Sequence, residues 1–220
     1  MSTLELELHA LKDNLADMLS LVKNQMIKCR EAIQERDVEL AEEVIAGEKK
    51  VNIQEIAIDR DCENILALYT PVATDLRFVL ATLKITNDLE RIGDNAKSIA
   101  RFVKSSIKKV PTGLMEEFDL EGMLDILIEM LKNMGEALQK SDTKLARKTA
   151  KKDELLNDHH KKAFKTTVNL VKQNPDDARV LLELFALARN LERAGDLTKN
   201  IAEEIVFHIE AKVVKHKKDR

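Results

Sequence analysis

Apolar side chains recur at intervals of three and four residues through most of this chain. Near the N-terminus the series consists of Leu8, Leu11, Leu15, Met18, Leu19, Val22 and Met26. This spacing places the apolar positions on one face of a long α-helix. Ser2 and Glu5 have the spacing of a capping box, so the first helix is predicted to begin there.

Five interruptions of this pattern divide the chain into six predicted helices. Asp37 and Asp142 have the chemistry of N-caps, whereas Thr70-Pro71 and Asn174-Pro175 each combine a cap with a proline at a first helical position. The strongest break is Val110-Pro111-Thr112-Gly113. The first five helices are predicted to end near residues 36, 68, 110, 139 and 173. The fourth helix is expected to start near residue 116 and the sixth to run almost to the C-terminus.

Each side of the strongest break therefore carries three long helices joined by tight turns. Tight turns make consecutive helices antiparallel neighbours, so each triplet should close as a three-helix bundle. The predicted fold is all-α, with two tandem antiparallel three-helix bundles in residues 1–110 and 111–220. The composition agrees, because a chain of 220 residues with only six glycines and three prolines has few helix-breaking residues.

The two halves also repeat each other in sequence. Residues 73–100 and 175–202 share 11 identities in 28 aligned positions, and both contain the motif L-E-R-x-G-D. A second block aligns Asp37-Val-Glu-Leu-Ala with Asp142-Thr-Lys-Leu-Ala. Repetition on this scale indicates one structural unit used twice.

Each copy of the motif places two carboxylates four residues apart, which puts them on one face of a helix. These carboxylates are Glu90 and Asp94 in the first copy and Glu192 and Asp196 in the second. Gly93 and Gly195 border the pairs, although glycine within a helix costs about 1 kcal/mol relative to alanine. The glycines therefore indicate that another helix or a ligand comes close at this level.

The second helix of each half carries a polar line that parallels the motif. In the first half it consists of Glu48, Asn52, Glu55 and Asp59, and in the second of Asp153, Asn157, His160 and Phe164. Two interpretations follow from the residues. Carboxylates from neighbouring helices could converge on a hard or borderline cation, which prefers oxygen ligands. Alternatively, they could take part in a buried network of salt bridges with the lysines and arginines around them.

Composition and motifs exclude several classes of function. The formal net charge of −3 and an aromatic content of 3% disfavour a nucleic-acid-binding surface. The sequence holds no glycine-rich phosphate loop, no nucleophile elbow and no Glu-x-x-His signature of a di-iron bundle. The charged N-terminus is unlike a signal peptide, and Cys29 and Cys62 lack any metal or disulfide spacing. We expect a soluble, cytoplasmic protein that is not an enzyme.

The repeated three-helix unit with L-E-R-x-G-D in both copies resembles the PhoU family over essentially the whole chain. The resemblance implies a cytoplasmic, commonly dimeric regulator that represses the bacterial phosphate regulon and modulates phosphate uptake. Its implied partners are the ATPase of the phosphate ABC transporter and the membrane sensor histidine kinase, and these partners would bring it to the inner membrane. The resemblance implies no nucleic-acid partner.

The resemblance also implies a metal site, because some family members bind iron or another metal through Glu/Asp-x-x-x-Asp motifs. Glu90 with Asp94 and Glu192 with Asp196 match that pattern. On the second helices Glu48 and Asp153 match its first position, but Asn52 and Asn157 stand where the pattern has Asp. Each site thus lacks one negative charge, which should weaken retention of a highly charged metal cluster.

Two alternatives belong to other classes. A scaffolding or dimerisation protein would engage the L-E-R-x-G-D face wholly in internal ion pairs. A metal-storage or redox bundle would hold iron tightly and in stoichiometric amount.

Overall fold

The computed structural model describes residues 2–212, which form eight α-helices and two short 3₁₀ turns. The 3₁₀ turns are Ile107–Lys109 and Pro175–Asp177. The α-helices are α1 (Thr3–Gln34), α2 (Val38–Tyr69), α3 (Ala73–Ser106), α4 (Thr112–Phe118), α5 (Leu120–Lys140), α6 (Thr143–Ala150), α7 (Asp153–Gln173) and α8 (Ala178–Glu210). The all-α class is confirmed, and the expected last turns of the sixth helix beyond residue 212 lie outside the described part of the chain.

The caps of the first half follow the sequence, with one exception. Ser2 and Glu5 form both hydrogen bonds of a capping box, and the Asp37 carboxylate accepts from the backbone at the start of α2. The prediction that Thr70 caps the third helix is wrong. Thr70 instead ends α2 with φ 44°, and the extended residue Val72 precedes α3 without a side-chain cap. A residue in the left-handed region stops a helix, so α3 can begin only after the extended connection.

Two of the helices predicted in the second half are interrupted. Asp119, with φ 49°, separates α4 from α5 inside the fourth predicted helix. A turn at Lys151-Lys152 separates α6 from α7 inside the fifth. The sixth begins at Pro175 as expected, but with a 3₁₀ turn before α8. The break between α6 and α7 makes Asp153 the first residue of α7.

The turns after α1 and α5 have the same conformation in both halves. Arg36 and Ser141 are left-handed, with φ 54° and 53°. The next residue in each turn donates its backbone N–H back into the preceding helix, Asp37 to Ala32 at 3.0 Å and Asp142 to Ala137 at 2.9 Å. This hydrogen bond is typical of a helix end closed by a left-handed residue. The matching hydrogen bonds show that Asp37 corresponds to Asp142. They therefore fix which residue of α1 corresponds to which residue of α5.

The helices form two antiparallel units that pack on each other. In the first, α1, α2 and α3 contact one another, and in the second α5, α6 and α7 contact α8. Contacts of α3 with α8 and of α1 with α5 join the units. One cluster of buried apolar side chains runs through both halves, and it is built mainly of leucine, isoleucine, valine, alanine and methionine. The division at residue 110 remains a prediction.

None of the helices within residues 2–212 combines the length and the apolar character that crossing a membrane would require.

Candidate functional site

The two copies of the L-E-R-x-G-D motif lie on neighbouring helices that run in opposite directions. Ser98 of α3 contacts Asn190 of α8 at 3.1 Å, whereas Lys84, earlier in α3, contacts Glu204, later in α8. Gly93 and Gly195 lie between these two contacts along their helices. The structure therefore brings the two motifs together at one level of the α3–α8 pair.

In the first repeat, Glu48 of α2 is held by a lysine and an amide. The Lys97 ammonium of α3 lies 2.9 Å from Glu48 Oε2, and the Asn52 amide donates to Glu48 Oε1 at 2.9 Å. Glu48 is 8% exposed, so the carboxylate is enclosed by these donors. The hydrogen bond from Lys97 holds the pKa of Glu48 below its ordinary value, with the Asn52 amide acting in the same direction.

The second repeat reproduces this arrangement with Asp153, the first residue of α7. The Lys199 ammonium of α8 lies 3.1 Å from Asp153 Oδ2, and the Asn157 amide donates to the same oxygen at 3.3 Å. Asp153 is 1% exposed. Burial works against the charged form of Lys199, but the hydrogen bond and the charge of Asp153 raise its pKa. We call the groups Glu48/Asn52/Lys97 and Asp153/Asn157/Lys199 the two lysine clasps.

The asparagines that depart from the metal-binding pattern thus have a structural role. Each one donates N–H to the carboxylate four residues before it in the chain. An aspartate at position 52 or 157 would place a second negative charge about 3 Å from a buried carboxylate, which costs free energy unless a further cation is present.

The carboxylates of the motif are not clasped. Glu90 and Glu192 are half-buried, Asp94 and Asp196 are exposed, and none of the four forms an ion pair with another residue in 2–212. They lie on the side of α3 and α8 that the core does not cover. We call these four residues the acidic face.

Like charges crowd this face in the first repeat. Burial raises the pKa of Glu90, and the charges of Asp94 and Glu55 raise it further. Burial likewise raises the pKa of Glu55, followed by the charges of Asp59 and Asp94. The group is therefore a concentration of negative charge that a cationic partner would stabilise.

The second repeat differs beside its carboxylates. Burial and the charge of Asp196 raise the pKa of Glu192, as in the first copy. The positions that correspond to Glu55 and Asp59 hold His160 and Phe164, however. His160 stacks on Phe185 with ring centroids 5.2 Å apart, and Phe164 contacts the same ring at 5.8 Å. The two halves of the acidic face therefore share the Glu/Asp pair. Only the first half has the additional negative charges of Glu55 and Asp59 beside it.

The motif glycines face the second helix of their own repeat, as the sequence indicated. A β-carbon on Gly93 would lie 3.3 Å from Val51 Cγ1. A β-carbon on Gly195 would lie 2.3 Å from Leu156 Cδ1 and 3.2 Å from the clasped carboxylate of Asp153. Glycine thus allows α2 to approach α3, and α7 to approach α8, at the level of the clasps.

The fit of these residues to a metal ion is partial. Carboxylate oxygens suit a hard cation, and the acidic face supplies two in each repeat. Glu48 and Asp153, the other two predicted ligands, already hold lysines. Within residues 2–212, no three His, Cys, Asp or Glu side chains stand close enough together to hold a metal ion. The predicted metal ligands remain a prediction.

Sequence reasoning identified the carboxylates but missed how they are neutralised. Lys97 and Lys199 align between the repeats, yet only the antiparallel pairing of helices shows that they reach Glu48 and Asp153. It also missed Gln25, a buried amide on the core face of α1. The signal was present, because Gln25 stands three residues after Val22 in the apolar series.

Comparisons with known proteins agree with this architecture. The family model described as "PhoU domain" matches residues 15–103 and 120–205. A phosphate-specific transport system accessory protein PhoU homolog of Aquifex aeolicus is 33% identical over 210 residues, covering 96% of this chain and 94% of its own length. The crystal structure of PhoU from Pseudomonas aeruginosa superposes with a TM-score of 0.89 at 29% identity, covering 94% of this chain and 99% of its own. The phosphate transport system regulatory protein PhoU from Streptococcus pneumoniae gives a TM-score of 0.83 at 27% identity, with coverages of 96% and 99%.

Proposed function

Because the chain belongs to the PhoU family, we propose that it is a regulator of phosphate transport. The similar proteins carry the names of accessory and regulatory proteins of phosphate transport systems. The chain acts in the cytoplasm without catalysing a reaction. It couples the ATPase of the phosphate ABC transporter to a sensor histidine kinase and represses the phosphate regulon when phosphate is plentiful. It works as a homodimer and reaches the inner membrane through these partners.

The observation that carries this proposal is the acidic face. Its four carboxylates form no ion pairs with residues 2–212, although the carboxylate of each clasp a few residues away holds a lysine. A purely scaffolding protein would engage such a face internally. Carboxylates with raised pKa values are instead stabilised when a cationic surface approaches, so the face suits basic side chains of a partner.

Replacement of the acidic face tests the proposal. In a strain that lacks its own regulator, Glu90→Gln/Glu192→Gln should fail to restore repression of a phosphate-regulon reporter in high phosphate. The matched control is Glu7→Gln/Glu117→Gln, which removes two exposed carboxylates from α1 and α4. Full repression by the face variant, at equal protein abundance, would contradict the proposal.

A pull-down distinguishes the two partners. Purified transporter ATPase and the cytoplasmic part of the sensor kinase are presented separately to the wild type and to the face variant, with and without phosphate. The proposal expects the wild type to retain both proteins and the face variant to retain them more weakly. Retention by the wild type should decrease as the salt concentration rises. Retention of neither protein would overturn the coupling role, and sedimentation of the same sample tests the homodimer.

A second candidate function is weak binding of a metal ion, such as iron, at the acidic face. The observation that favours it is the mutual repulsion of Glu55, Glu90 and Asp94, which a hard cation near them would reduce, although the three do not stand close enough together to ligate one ion. The clasped Glu48 and Asp153 would contribute only if their lysines withdrew. Elemental analysis separates this candidate from regulation by protein contact alone.

A further inference from the structure

Gln25 is a buried polar residue without a partner. It lies on the core face of α1 and is 4% exposed. Neither its Nε2 nor its Oε1 forms a hydrogen bond with another residue in the described part of the chain. A buried amide that forms no hydrogen bond lowers stability, because water would otherwise satisfy both of its atoms. The position therefore calls for a partner that residues 2–212 do not supply.

The amide of Gln25 lines an opening between α1 and α2. This cavity measures about 450 Å³, which is within the range of small-molecule sites. Leu21 and Val44 form part of its apolar wall, and Lys28 and Lys50 bring positive charge to it. Glu43, also in the lining, pairs with Lys28 at 2.7 Å. One negative charge thus faces two positive charges, and the cavity has a net positive lining.

Gly47 keeps the cavity open beside Gln25. A β-carbon at this position would lie 3.2 Å from Gln25 Nε2, closer than nearly all real contacts of that kind. Glycine is not required here by the backbone, because Gly47 lies within α2 and has no positive φ. Its effect is to leave space beside the buried amide, although glycine within a helix costs about 1 kcal/mol relative to alanine.

In the second repeat, side chains fill the position that is equivalent to this cavity. In the register fixed by the matching turns after α1 and α5, Gln25 corresponds to Met130, which is fully buried. Gly47 corresponds to Lys152, and Lys152 forms an ion pair with Glu129. An apolar side chain and a salt bridge therefore fill the position where the first repeat has an unpaired amide and an opening. The fold itself does not need the cavity.

We propose that this cavity binds a small molecule through an oxyanion group, either a phosphate or a carboxylate. The Gln25 amide donates a hydrogen bond to the anion, and Lys28 and Lys50 neutralise its charge. The apolar wall accepts the rest of the molecule. This site lies between α1 and α2, contains none of the four carboxylates of the acidic face in its lining, and gives the chain a means to respond to a metabolite directly.

Calorimetric titration of the full chain tests the site. Inorganic phosphate and acetate serve as separate probes at constant ionic strength, and ¹⁵N-edited NMR follows the side-chain amide of Gln25. Gln25→Met installs the residue that the second repeat uses, so folding should be preserved. Lys50→Gln removes a cation of the lining, and Lys162→Gln on the exposed side of α7 is its matched control.

The proposal expects saturable binding of one or both probes, with movement of the Gln25 amide signal. Gln25→Met and Lys50→Gln should each weaken binding by about tenfold or more, whereas Lys162→Gln should not. Binding of phosphate but not acetate identifies the ligand as a phosphate compound, and the reverse identifies a carboxylate. The proposal is overturned if neither probe saturates, or if Gln25→Met binds as tightly as the wild type.

Discussion

The Lys97 ammonium on α3 lies 2.9 Å from the nearly buried Glu48 carboxylate on α2. Lys199 and Asp153 repeat the contact between α8 and α7 at 3.1 Å. Both pairs join helices of the same repeat at the level where a glycine allows close approach. The protein thus pairs two buried carboxylates with its own lysines, whereas the acidic face forms no ion pairs with residues 2–212.

Lys97→Met should destabilise the fold by about 2 kcal/mol, because it leaves the buried Glu48 without its ion-pair partner. Glu48→Gln in the same chain should recover part of the loss, which a double-mutant cycle from urea unfolding at pH 7 would measure. A loss in the double variant equal to the sum of the two single losses would show that the pair is not coupled.

Lowering the pH should reduce the difference in the free energy of unfolding between the wild type and Lys97→Met. The folded-state pKa of Glu48 is lowered in the wild type, so its contribution is present above the unfolded-state pKa of about 4.3 and is lost as pH falls through the folded value. Lys97→Met removes the largest cause of the lowered pKa, so the free energy of unfolding of the variant should depend less steeply on pH in this range. Unfolding free energies of both proteins between pH 7 and pH 4 check this convergence.

Glu90→Gln and Glu192→Gln should each keep or slightly raise stability at pH 7, by a few tenths of a kcal/mol. The folded-state pKa of each residue is raised, so the ionised carboxylate opposes folding at neutral pH and this penalty disappears as pH falls through the folded value. The advantage of the variants should therefore shrink on acidification. Thermal unfolding at pH 7 and pH 4 measures it, with Glu7→Gln as the control, and a clear loss of stability at pH 7 would contradict the expectation.

The two motif glycines should differ in their tolerance of alanine. Gly195→Ala would push a β-carbon into Leu156, which is fully buried, and should cost about 1 kcal/mol after the gain in helix propensity. Gly93→Ala meets Val51 at 3.3 Å and should change stability by less than about 0.5 kcal/mol. Chemical denaturation ranks the two variants. The reverse order would mean that the second repeat relaxes around Leu156 more easily than its packing indicates.

Protein purified without chelator and then desalted should retain less than about one transition-metal ion per chain. The reason is that lysines occupy Glu48 and Asp153, which leaves only the partly solvated acidic face for a cation. Elemental analysis measures the content, and the Glu90→Gln/Glu192→Gln variant shows whether any residual metal resides at the face. Tight stoichiometric iron would contradict this expectation and favour the metal-storage alternative.

Much of the fold could be predicted because helices are specified locally. The capping box of Ser2 and the N-caps Asp37 and Asp142 act within one turn of the chain, and the structure contains all three. Local signals were less decisive at Thr70, where a polar residue before proline can either begin or end a helix. The breaks at Asp119 and Lys151-Lys152 contain no glycine or proline. The apolar periodicity continues across them, so the sequence did not predict them.

The sequence by itself determined the all-α class, the duplication, and the placement of Glu90 with Asp94 and of Glu192 with Asp196 on single helix faces. These features depend on spacings of three and four residues and on identities between the halves. Only the tertiary structure decided which carboxylates are neutralised. Glu48 and Lys97 lie far apart in the chain and meet because α2 and α3 pack antiparallel in one register. A shift of one turn would move such a contact by about 5 Å, and packing across the whole interface, not any local pattern, sets that register.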